Sequence, residues 1–391
     1  MKKVFFAAIL LVLLSILISI LSMRNTSLIL LEGRRLFEGG RYYKSIDFLK
    51  KKEKYFEKAD SEKYAEFLSL IGENYISLDL YYDAEEIFLK FQSLQKDKTT
   101  EKYAYILCSL GRLYTGLGDF TKGELFLQEA KNIIDYFGDR ETSTYASILG
   151  DLGILNAEKG YYVSAEKYFF EELIINNKVY GKENKEFAIN LCNLGKINIK
   201  MGNYDLAENY LLEAERILKK HLHKNHPNHT IYLSNLGLLN MEIGNYSKAK
   251  KYYIEEAKIS KKVFGVKNRY YAMILSNLGG VYAYEGNYTE SEKLFLSAKD
   301  IIEKTLDKEN FNYADILNNL GYLYYKMGNY KESEQNLLQA KIIIENNLGK
   351  DNIKLVMTLY NLGNLYGVLG NINNAEFFYL KVFRNKRESF W

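Results

Sequence analysis

The chain has 391 residues, is 47% apolar and 26% charged, and carries 53 basic against 49 acidic side chains for a net charge of +4. These fractions are those of an ordinary globular protein, and the near balance of interleaved charges lacks the concentrated basic face that a nucleic-acid binder needs. One proline in the whole chain argues against linkers and disordered segments.

Residues 1–23 read as a signal-anchor or a signal peptide. Lys2 and Lys3 precede Val4–Leu21, a charge-free run of 18 residues. That is the lower limit for spanning a bilayer and longer than the usual signal-peptide core. No A-x-A cleavage pattern follows, which favours an uncleaved anchor over a cleaved peptide, with a buried helix as the third reading. The leading lysines place the amino terminus in the cytoplasm, whereas Arg24, Arg34, Arg35 and Arg41 pull the other way. The very short tail favours export, with the rest of the chain on the extracytoplasmic face of a bacterial-type membrane; the alternative is the cytoplasmic face.

Beyond this segment the sequence repeats. A Leu-Gly glycine recurs at Gly111, Gly153, Gly195, Gly237, Gly279, Gly321 and Gly363 in steps of 42, with looser copies at Gly33 and Gly72 in steps of 39. Length alone would suggest two or three domains, but a sustained period of this size means an array of like supersecondary units. Two atypical units occupy residues 27–100, seven regular ones 101–385, and a short tail 386–391. In the fifth unit Leu191, Leu194 and Ile197 recur at helical spacing, Gly202-Asn203 breaks the helix, and Ala207, Tyr210, Leu211, Ala214 and Ile217 begin another. Each unit is therefore a helical hairpin. Twelve residues after each key glycine stands a small residue (Ala207, Ser333), and four further a large one (Leu211, Leu337), the complement needed for close helix packing. The fold class is all-α, an α-solenoid of about nine helix-turn-helix repeats.

These residues resemble tetratricopeptide repeats. Leu320-Gly321, Tyr324, Gly328-Asn329-Tyr330, Ser333, Leu337 and Ala340 follow the order of that family. The 42-residue period and the Gly-Lys-x-Asn loops at Gly181–Asn184 and Gly349–Asn352 are similar to the kinesin-light-chain subtype. The usual late proline is absent, and Asn156, Asn198 and Asn240 stand where the family more often has Tyr. The resemblance implies a right-handed superhelix whose first helices line a concave groove.

Positions −6, −2, +1 and +5 from the key glycine form one stripe of the first helix, beside the core stripe and facing that implied groove. At −2 stand Asn193, Asn235, Asn277, Asn319 and Asn361, with Asp151 one unit earlier. Asn is a poor helix-interior residue, so five in register need a reason. Either they offer a ladder of amides to an extended peptide, as the resemblance implies, or each one bonds a neighbouring unit. Around them the stripe varies, with Lys196, Ile231, Met273, Tyr284 and Tyr322 among its members. The expected partner is a protein or peptide, with the membrane met through the N-terminal segment and no nucleic acid. The competing reading is structural: Phe377, Phe378, Val382 and Phe383 lie on a final helix that no polar cap covers, a surface for homo-oligomer or scaffold assembly.

All four histidines, His221, His223, His226 and His229, fall in one inter-repeat loop. Imidazoles so spaced are candidates for metal, against the plainer reading that they belong to the loop; His226-Pro227 resembles the His-Pro the family carries there. Cys108 and Cys192 occupy equivalent positions in units that are not neighbours and are expected to be buried thiols. No phosphate loop, nucleophile elbow or HExxH sequence occurs, so neither enzymatic activity nor a cofactor is expected.

Overall fold

The computed structural model describes residues 25–56, 61–305, 311–350 and 352–388. The apolar run Val4–Leu21 lies outside the described residues. Among those described, no helix is long and apolar enough to cross a membrane.

Eighteen helices follow one another with no strand among the described residues. In chain order they are α1 (25–38), α2 (Tyr42–Lys50), α3 (Ser61–Ser77), α4 (Tyr81–Ser93), α5 (Glu101–Leu117), α6 (Phe120–Phe137), α7 (Ser143–Glu158), α8 (Tyr162–Tyr180) and α9 (Lys185–Lys200). They continue as α10 (Tyr204–His221), α11 (His229–Glu242), α12 (Tyr246–Val263), α13 (Arg269–Tyr284), α14 (Tyr288–Thr305), α15 (Phe311–Met327), α16 (Tyr330–Leu348), α17 (Leu355–Val368) and α18 (Ile372–Glu388). Odd and even helices pair as nine antiparallel hairpins, and each even helix packs on the odd helix that follows it.

The hairpins form for local reasons. Where α9 ends, Gly202 has φ +82° and closes a paired carbonyl cap: its N–H reaches Ile199 O at 3.0 Å, while Asn203 N–H reaches Asn198 O at 2.8 Å. In the second unit Asp79 adopts φ +57° in place of a glycine. Within a hairpin the two axes approach so closely that a Cβ on Gly195 would stand 2.7 Å from Leu211, and one on Gly321 2.6 Å from Leu337. Where the small residue opposite is serine, its hydroxyl donates to the key glycine's carbonyl, as Ser333 does to Gly321 O at 2.7 Å. Cys108 and Cys192 are both free and buried.

The array does not stay open. At sequence separations of 184 to 196 residues, between four and five repeats, the hairpin turns of the early units meet the inter-unit loops of the later ones. Arg269 holds Asp79 at 3.1 Å across this seam and lies over the Tyr81 ring. Lys354 pairs with Glu158 at 2.8 Å, Asn352 donates to Lys159 O at 2.7 Å, and Tyr42 stacks on Phe264. Successive superhelical turns are thus in contact, and the expected groove becomes a bore lined by the odd helices.

Candidate functional site

The five asparagines occupy one register of the odd helices, but not one environment. Three reach back to the preceding unit, each 43 residues away. Asn235 Nδ2 donates to Cys192 O at 2.9 Å, Asn319 Nδ2 to Ser276 Oγ at 3.1 Å, and Asn361 Nδ2 to Asn318 Oδ1 at 3.2 Å. Asn235 and Asn361 are also buried. Among the described residues the side chains of Asn193 and Asn277 make no hydrogen bond and are half-buried, so they alone carry amides with full capacity. Asp151, at the same position, receives Cys108 Sγ from the preceding unit at 3.1 Å.

Charges gather where α7, α9 and α15 face the loop before α17. Lys354 and Lys196 both approach Glu158, at 2.8 and 3.4 Å. Burial alone would raise the Glu158 carboxyl, but the two lysines more than offset it and hold it well below the usual carboxylate range. One turn along α9, Lys200 has its pKa lowered by burial and by the like charges of Lys196 and Lys354, against the pull of Glu242 and Asp315. Asp315 is raised by burial, with Lys354 opposing. Lys200, Glu242 and Asp315 still reach water, although the surrounding turns partly desolvate Lys200 and Asp315, and the three make no ion pair among the described residues. This region therefore holds three cations and three carboxylates, with only Glu158, Lys196 and Lys354 engaged.

Further along, Tyr284 is 56% exposed, stacks on Tyr246 at 5.1 Å and lies 6.4 Å from Tyr322, whose ring in turn has Lys326 5.7 Å from its centre. Met273 is half-buried, and Ile231 is packed against the core beneath. The lining thus passes from charged to aromatic along the axis.

At the other end of the bore Arg112 joins three units. Its Nη1 donates to Glu73 at 2.9 Å and its Nε to Asp151 at 3.0 Å, while Tyr105 and Ser109 hydroxyls donate to Glu73 at 2.8 Å each. Sequence reasoning missed this bridge, although Glu73, Arg112 and Asp151 follow each other at steps of 39 with alternating sign. It also missed Lys354, which no single repeat places in the bore.

The four apolar residues of the last helix do not share a surface. Phe378 and Val382 are buried, Phe378 stacking on Tyr366 at 5.6 Å, whereas Phe377 and Phe383 point outward with Leu380 and Ile372. Only the second set is available to another molecule. α18 also runs to Glu388, into the stretch expected to be tail. The Nε2 atoms of His226 and His229 donate to backbone carbonyls, Glu38 O at 2.7 Å and His223 O at 3.1 Å, and His223 lies 3.4 Å from Gly39 O. His221 is exposed at the end of α10, and among the described residues no group of three metal-ligating side chains converges.

Models of the tetratricopeptide repeat match residues 188–219, 228–304, 270–341 and 312–388. The chain is a tetratricopeptide-repeat protein. Its fold is similar to that of a Rap protein solved in complex with Competence and Sporulation Factor, at 14% identity and TM-score 0.69, covering 94% of this chain and 98% of that one. The apo form of RapI aligns at 16% identity and TM-score 0.50 over 93% and 98% of the two chains. BtubC (BKLC) from P. vanneervenii aligns over 59% of this tetratricopeptide-repeat chain and 90% of its own, at 22% identity and TM-score 0.42. No curated protein matches the sequence.

Proposed function

We propose that this tetratricopeptide-repeat chain is a non-enzymatic binding module that holds an extended peptide segment of a partner protein in its bore. The observation that carries the reading is the lining itself. Unshared amides at Asn193 and Asn277 can grip backbone, while Lys196, Lys200, Glu242, Asp315, Tyr284 and Tyr322 vary from unit to unit and can select side chains. A structure of like fold having been solved with a second factor bound is in keeping with this. The N-terminal apolar run, read from sequence alone, supports presenting the bore beside a membrane.

Selection of peptides from a randomised display library on the full-length chain tests the reading. Asn193→Ala with Asn277→Ala removes two hydrogen-bonding side chains and should weaken selected peptides by roughly 10–100-fold, with the melting temperature unchanged. Undiminished binding by the double variant would sink the amide grip, and failure to select any peptide would sink the function.

The exposed Ile372, Phe377, Leu380 and Phe383 support a second reading, self-association through the last hairpin. Light scattering decides it: Phe377→Ser with Phe383→Ser should abolish any concentration-dependent rise in mass, and a wild-type monomer at all concentrations excludes it.

A further inference from the structure

The chain's single proline and all four of its histidines lie between His221 and His229. That loop, joining α10 to α11, meets the hairpin turn between α1 and α2. Pro227 packs on Gly40 so tightly that no Cβ would fit there. Beside it His226 is buried, with Nε2 2.7 Å from Glu38 O and Nδ1 accepting the Asn228 N–H at 3.1 Å. These two bonds specify a neutral ring. Nε2 must hold the proton and donate it, and Nδ1 must be bare. A second proton could go only to Nδ1, where it would meet an N–H instead of an acceptor. Behind His226 the buried His229 ties its Nε2 to the same loop, and its Nδ1 has no partner.

The charged and titratable neighbours are His223 from the loop, His229 and Tyr232 from α11, Lys185 from α9 and Lys219 from α10; α1 contributes the Glu38 backbone carbonyl. None of them supplies a carboxylate to welcome an imidazolium. Burial, and after it the neighbouring charges, lower the His226 pKa, while the Glu38 carbonyl opposes them.

We infer that His226 is a proton-operated clasp between successive turns of the superhelix: neutral, it fastens the first hairpin to the loop before α11; protonated, it releases it and opens the bore at its first turn. With the unfolded value near 6.5 and the folded one lower, the unfolded or opened chain binds more protons on acidification. The contribution is complete above about pH 6.5 and is lost progressively as pH falls below it. The seam contact at Glu158 does not titrate there, its carboxyl being held far lower.

The test is a distance measurement by spin labels on the full-length chain at Arg41→Cys and Lys224→Cys, both exposed sites on opposite sides of the clasp; Cys108 and Cys192 are buried. Between pH 7.5 and 5.5 the label distance should lengthen, with a midpoint below about 6.5, while helicity is unchanged. His226→Gln keeps a donor toward Glu38 O but no titratable site, and should abolish the pH response, whichever distance it adopts. A wild-type distance that stays constant, or a response that persists in His226→Gln, overturns the inference.

Discussion

Glu256 on α12 is buried, and its Oε2 has no hydrogen-bond partner. Burial pushes its carboxyl up to about 8, with the Ser234 hydrogen bond opposing, so the folded chain keeps it protonated at neutral pH. Because its unfolded value is near 4.3, its contribution to stability is complete below that pH and is lost as pH rises toward 8. Glu256→Gln should therefore match wild type in urea denaturation at pH 4 and exceed it by roughly 2–4 kcal/mol at pH 8; a gap independent of pH would contradict this. Gly321 shows the opposite sensitivity. Alanine there gains about 1 kcal/mol in helix propensity, yet its Cβ would stand 2.6 Å from Leu337. Overpacking should win, for a net loss of about 1–3 kcal/mol seen as a lowered urea midpoint, and Leu337→Val should relieve part of it. The key glycines and their large partners were legible in the sequence because steric complementarity leaves a mark at fixed spacing within one unit. Glu256 was not, since a lone acid on an even helix reads as surface charge until its neighbours are known.

At the scale of the helix, the hairpins, their turns and the stripe that faces inward followed from apolar periodicity and the Gly-Asn breaks. What the stripe does inside was less legible. The amides of Asn235, Asn319 and Asn361 turn back to the unit before, a use that the sequence left open as an alternative. Arg112 performs the same joining with charge. Replacing it by alanine leaves Glu73 and Asp151, both largely buried, facing each other without a cation. The expected cost is roughly 2–4 kcal/mol. Hydrogen exchange should show the loss concentrated in α3, α5 and α7, the helices whose side chains Arg112 joins.

For the whole molecule, the seam was hidden from sequence reasoning. A period of 42 residues states that units stack, but the pitch depends on small rotations summed over several interfaces, and no residue encodes that sum. Lys354 and Arg269 accordingly carried no signal and His226 read as a loop residue, although each finds a partner on another superhelical turn. Asp79→Ala together with Glu158→Ala should loosen the seam without unwinding a helix. Small-angle scattering would then report a larger radius of gyration at unchanged circular dichroism, and an unchanged radius would show that the seam holds by packing alone.

Most solenoids can gain or lose a copy of their unit in evolution, because each copy answers only to its neighbours. This one is threaded like a screw. Deleting either hairpin between α9 and α12 would carry Asp79 past Arg269 and Glu158 past Lys354 by nearly a quarter of a revolution, so both of these threads would lose their mates at once. The number of copies in that stretch is thus set by circumference, and change in length is confined to the two ends.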